Sequence, residues 1–203
     1  MALVSDTSET GIANLALSAA EVPSVLTDFN QPNSKAARVC RMHLPRARDS
    51  ILRSFGFGFS RGLEAVAEVL PAPIGGDFKR AFAHPLEALR ILKIEGLVKR
   101  QWRTDGDRQI LASVAGPLQV HFIRRVFDFT RWDSLALDLV VIDLAIRVVP
   151  ELTHVIGISS RLKEQYADLA RMAPKLDAFE QDSDEDDYDY DNWVPSYIGV
   201  RVT

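Results

Sequence analysis

Residues 11–59, GIANLALSAAEVPSVLTDFNQPNSKAARVCRMHLPRARDSILRSFGFGF, place two helical patterns on either side of a short loop and end in an aromatic, glycine-punctuated hinge. Asp6 followed three residues later by Glu9 predicts a capping box, after which Ile12, Leu15, Ala16 and Ala19 recur at helical spacing until the chain reaches Val22-Pro23. Ser34 predicts the cap of the second helix. Its apolar positions Ala36, Cys40, Leu44, Ala47, Ile51 and Phe55 step by three or four residues and form one greasy face. The other faces carry Lys35, Arg38, Arg41, Arg46, Arg48 and Arg53 against the single acid Asp49, and Pro45 predicts a bend one turn back, near Arg41. Such a basic surface is matched either by water or by an acidic element of this chain or of a neighbouring subunit.

Composition narrows the class. The chain has 203 residues, 47% of them hydrophobic and 26% charged, without an apolar run long enough to span a bilayer, which reads as a soluble globular protein with no membrane partner. MALVSDTSETG lacks the basic and apolar regions of a signal peptide, so a reducing compartment is expected. The lone Cys40 then reads as a small buried hydrophobe. The net charge of −4 conceals an asymmetry: nine acids and no base lie between Asp177 and Asp191, so the body before them is net basic. A like-charged block of this kind reads as a flexible strap. It is followed by WVPSYIGVRVT, an extended segment in which Trp193 and Tyr197 suit docking, on a partner or back on the chain's own domain.

The middle of the chain reads as strands. Leu97–Thr104 and Gln109–Ser113 flank Asp105-Gly106 and predict a hairpin over 97–113 with a tight type I′ turn. Leu118, Val120 and Phe122 alternate with Gln119 and His121 and predict a further strand to about Val126, and LRILKI at 89–94 another. Asp133 predicts the cap of a strongly apolar helix through Leu135, Leu139, Ile142, Ala145 and Val149 that ends before Pro150. Leu162, Tyr166, Leu169, Ala173 and Leu176 mark a last helix with a kink at Pro174. The expected fold is therefore α+β and mostly helical: a helix bundle with a central antiparallel β-hairpin or sheet insertion and an extended C-terminal tail. Its expected parts are N-terminal helices and hinge (1–84), a strand region (85–130), C-terminal helices packing on the N-terminal ones (131–180), and an acidic strap with a docking tail (181–203).

Chemistry is hard to find in this pattern. His43, His84, His121 and His154 show no metal-ligand spacing, and no nucleophile elbow, phosphate loop or dinucleotide-binding glycine pattern is present. Paired carboxylates crowd only the strap, where they would be solvated rather than held for acid–base work. No catalytic, metal or cofactor residue is assigned, and an enzyme is not expected.

Two resemblances remain. HPLEALRILKIEGLVKRQWRTDGDRQILAS, His84 to Ser113, is similar to the second half of a GntR-type winged helix, which would imply a DNA-binding regulator. The residues before it lack a polar recognition-helix start, and Pro85 favours an extended chain, so 86–95 is expected to be strand. The second resemblance spans nearly the whole chain. Ile12–Phe29, Ser34–Arg53, the aromatic hinge Gly56–Ser60, Pro85–Ile94, Pro117–Val126 with the following Asp128–Trp132, and Val149–Thr153 occur in the order of the corresponding motifs in the tail tubular protein A family of short-tailed bacteriophages. The hinge keeps the family's aromatic positions but not its proline and tryptophan, Glu87 replaces the family's aspartate, and Trp193–Arg201 resembles the family's Trp/Arg ending with a longer spacing.

The resemblance implies a structural virion protein: a head-to-tail adaptor at the head–tail junction, assembled in the host cytoplasm. It would form a homo-oligomeric ring of twelve subunits between portal and tail nozzle, with tail fibres a further candidate partner. DNA would pass through its channel without sequence-specific binding. On this view Trp193, Pro195, Tyr197, Ile198 and Arg201 dock on the portal. The six bases from Lys35 to Arg53 form an inter-subunit face, and the hairpin with Trp102, Asp105 and Gly106 faces the nozzle.

Overall fold

Ser8, not Asp6, starts the first helix. In the computed structural model of the chain, which describes residues 7–31, 34–70, 78–106, 108–153, 155 and 157–180 (backbone alone from 174), the Ser8 hydroxyl accepts the Gly11 amide at 3.0 Å and α1 runs from Glu9 to Ala19. Asp6 lies outside the described residues. Ser34 caps α2 (Lys35–Phe55) through the Ala37 amide, and Asp133 caps α3 (Ser134–Leu152) through the Ala136 amide. The last helix, α4, spans Ile158–Glu180. Two prolines lie inside helices. Pro45 sits within an unbroken α2, and α3 continues past Pro150 for two residues. A proline near the C-terminus removes only one ladder bond, and Thr153 N–H closes the end on Val149 O.

The chain divides into two units. The described residues up to Phe59 and from Phe127 onward form a helical unit, in which α3 packs against α1, α2 and α4. Its core contains the whole expected α2 stripe, together with Leu139, Leu144, Val148, Leu162 and Tyr166. The loop after α1 is fixed rather than slack. Asn14 donates to Leu26 O at 2.9 Å and accepts the Leu26 amide at 2.7 Å, while Arg41 donates to Phe29 O at 2.6 Å. The FGFGF segment is also packed. Gly56 ends α2 in the left-handed conformation (φ 63°), and Phe55, Phe57, Phe59, Trp132 and Phe129 follow one another with ring centroids 5.1–5.7 Å apart. The hinge and the Asp128–Trp132 loop thus share one aromatic row.

Residues Ser60–Val126 form the second unit, so the strands begin well before residue 85. They are β1 (Arg61–Val66), β2 (Glu68–Val69), β3 (Arg80–Ala83), β4 (Ala88–Ile94), β5 (Trp102–Thr104), β6 (Gln109–Ala112) and β7 (Leu118–Arg124). One antiparallel sheet has the order β1-β7-β4 and the other β2-β3-β6-β5. Val66, Phe82, Ile94, Trp102, Ile110, Leu118, Val120 and Phe122 fill a single core contributed by both sheets. Strand β1 carries Gly62 opposite Phe122, where a Cβ would come within 2.9 Å of the ring. As expected, 86–95 holds a strand, β4, and no recognition helix. The hairpin also forms, with a different turn. Thr104 pairs with Ile110, Arg108 N–H closes on Asp105 O, and it is Arg108 that adopts positive φ (55°). This is a three-residue loop, one longer than the Asp-Gly turn expected. Ahead of it, Leu97 makes an isolated bridge to Ile94 and Lys99–Gln101 form a turn of 3-10 helix instead of strand.

Candidate interaction surfaces

The six bases of α2 do not form one outward face. Lys35 Nζ donates to Glu151 O at 2.8 Å and so caps the end of α3. Arg41 holds the loop before α2. Arg48 is buried, its Nε 2.9 Å from Asp49 and its guanidinium 4.4 Å from the Phe127 ring centroid. The expected inter-subunit face therefore loses these three residues to contacts within the subunit. Around a helix, residues spaced as these are cannot share one side. Arg38, Arg46 and Arg53 remain exposed.

Trp102 is not available as a nozzle contact either. It faces the strand core at 9% exposure, because alternation along β5 turns Arg103 outward and Trp102 inward. At the tip, Asp105 and Gly106 are exposed. The docking-tail residues Trp193, Pro195, Tyr197, Ile198 and Arg201 lie outside the described residues, as does His154.

Between α2 and α3 runs a polar seam. Arg147 Nε holds Asp143 Oδ2 at 2.9 Å, one turn apart on α3, and His43 Nε2 meets Glu151 Oε1 at 2.6 Å. Asp143 is buried, and burial pushes its carboxyl pKa up, a shift only partly offset by the Arg147 hydrogen bond and charge and by His43. The sign for stability follows: a carboxyl with a raised folded-state pKa favours folding while protonated, and this contribution is lost as pH rises through the folded value. Asp143→Asn is accordingly expected to gain stability relative to wild type as pH climbs from 3 to 7, read from urea midpoints across that range. A difference independent of pH would contradict this. Cys40 is buried, and its thiol is pushed up to about 11, which makes it a poor nucleophile. Among the described residues no group of histidine, cysteine and acidic side chains could hold a metal ion, and no helix is long and apolar enough to cross a membrane.

One surface escaped the sequence reading. A groove of ≈ 340 Å³ lies between α3 and α4, lined by Asp138, Val141, Ile142, Gln165, Asp168 and Leu169. The signal was present in the strongly apolar composition of α3, since a helix apolar on most sides needs more cover than one neighbour gives. Asp138 stands at its rim with a carboxyl pKa raised first by burial and then by Asp133. No protein-family model matches the chain, and a search of curated proteins finds no match.

Proposed function

We propose that the chain is a structural virion subunit: the head-to-tail adaptor of a short-tailed bacteriophage, forming a ring that joins the portal to the tail nozzle and lets DNA pass. The observation that carries this reading is the ordered set of motifs resembling the tail tubular protein A family. The way these motifs pack supports it. Pro85–Ile94 and Pro117–Val126 contain β4 and β7, which are neighbours in one sheet, while the hinge and the Asp128–Trp132 loop share the aromatic row. Motifs kept in register by a common ancestor would be expected to supply the contacts that build the fold. The winged-helix alternative requires a recognition helix over a segment that is β4 here.

A channel subunit has to let DNA slide, and every persistent contact between a base and a phosphate adds affinity and drag. The internal engagement of Lys35, Arg41 and Arg48 is in keeping with this. Gel shifts of the isolated protein on duplex DNA are expected to show weak binding that vanishes at moderate salt; a tight shift would oppose the adaptor role. The acidic strap and its aromatic end are assigned to the portal, because a strap can span distance and anchor through a few aromatic residues. Truncation after Ala178 is expected to abolish co-sedimentation with portal while leaving the helical circular-dichroism signal intact. Undiminished portal binding by the truncated chain would remove the tail from that role.

A further inference from the structure

The helical unit carries two unlike surfaces, one on α2 and one between α3 and α4. On α2, Arg38, Met42, Pro45 and Arg46 are all exposed. At 100° per residue they fall within one stripe, with the arginines roughly 12 Å apart along the axis. This stripe has apolar side chains in the middle and positive charge at its ends. The α3–α4 groove has the inverse character: Val141, Ile142 and Leu169 supply apolar surface, Asp138 stands on one wall, and on the other stands Asp168, whose Oδ1 holds the exposed Arg171 at 2.8 Å and leaves Oδ2 for a further cation. Helices α2 and α4 each pack chiefly on α3, so the stripe and the groove belong to different sides of the bundle.

We infer that the groove receives the α2 stripe of a second copy of this chain, with Met42 and Pro45 seated over Val141, Ile142 and Leu169 and the arginines meeting Asp138 and Asp168. Charge complementarity argues for this occupant. The chain's own acidic segment, Asp177 to Asp191, has the wrong sign to approach two aspartates, whereas the stripe has the right sign and an apolar centre. Asp138 has its pKa raised by partial burial and by Asp133, and a guanidinium brought to it would offset that unfavourable charge. Because stripe and groove are different patches, each copy offers one to the next and keeps one free, which is a heterologous contact able to propagate and close. Closure into a ring rests on the adaptor reading; the pairwise contact does not.

The test uses the full-length chain in sedimentation velocity over a concentration series. Wild type is expected to self-associate, and Arg38→Glu/Arg46→Glu and Asp138→Lys/Asp168→Lys are each expected to weaken association about a hundredfold, since juxtaposed like charges cost several kcal/mol. All four positions are solvent-accessible, and unchanged melting temperatures would establish that both variants fold. Each variant alone associates weakly, yet in a mixture the intact groove of one meets the intact stripe of the other. The reversed stripe and the reversed groove also carry opposite charges, so the mixture is expected to recover association into mixed oligomers that neither variant forms alone. A wild type that stays monomeric, or variants that associate as wild type does, would overturn the inference. So would a mixture that associates no better than either variant alone, or groove variants that lose portal binding while still self-associating. Assembly on portal that ignores all four substitutions would sink this contact and leave the adaptor reading standing. Recovered association in the mixture from a chain that never binds portal would keep the contact and sink that reading.

Discussion

Trp132→Ala is expected to lower the stability of the helical unit by roughly 3 kcal/mol, measured by equilibrium urea unfolding. The ring is 6% exposed and packs on Phe59 and Phe129 with centroids 5.2 and 5.1 Å away. Large-to-small changes of a buried tryptophan typically cost about 3–5 kcal/mol. The low end is chosen here because the indole Nε1 is buried with no hydrogen-bond partner among the described residues, so truncation also removes a desolvated donor worth about 1–3 kcal/mol. Trp132→Phe keeps most of the packing and removes that donor, so its cost should be well under half as large. If Trp132→Phe proved as damaging as the alanine, the aromatic row would not be what holds this segment.

Phe82→Ala is the second large effect, about 3–5 kcal/mol, and it falls on the other unit. Phe82 has no exposed surface and lies at the centre of the two-sheet core. It pairs in register with Ile110 on β6, and a methyl group at Gly116 would collide with its ring. Neighbours so closely fitted collapse poorly into a void, so the cavity cost should be nearly full. Hydrogen exchange would locate the damage. Amides of β3, β6 and β7 should lose protection, while those of α2 and α3 keep theirs, because the two units have separate cores. Uniform loss across both units would mean that they unfold as one.

What the sequence disclosed depended on how local the deciding interaction was. The α2 stripe is set by the spacing of Cys40, Leu44, Ala47 and Ile51 alone, and the caps at Ser34 and Asp133 by hydrogen bonds three residues long, so all were legible. The alternating Leu118–Phe122 strand and the LRILKI strand were legible for the same reason. Strands β1 to β3 were not. RGLEAVAEVL carries Leu63, Val66 and Leu70 at spacings that suit a helix, and only pairing of Arg61–Val66 with Leu118–Ile123, far along the chain, makes it extended. Ser8 displaced Asp6 because a hydroxyl was available where the helix begins.

The surfaces were less legible still. Charge counts along α2 cannot say that Arg48 lies buried against Phe127 or that Lys35 reaches Glu151, for both depend on how α2 meets its neighbours. Trp102 is expected to face the nozzle with the rest of the hairpin, but the inward side of β5 takes it. The apolar composition of α3 signals that the helix needs cover on several sides, but the α3–α4 groove takes its place only once the two helices are laid together.

The adaptor reading is tested most directly by imaging. Full-length protein mixed with purified portal of a short-tailed phage and viewed by negative-stain electron microscopy is expected to give rings with a central channel, twelvefold in end views and stacked on the portal in side views. Bare portal rings beside unassembled subunits, over a range of mixing ratios and salt, would contradict it.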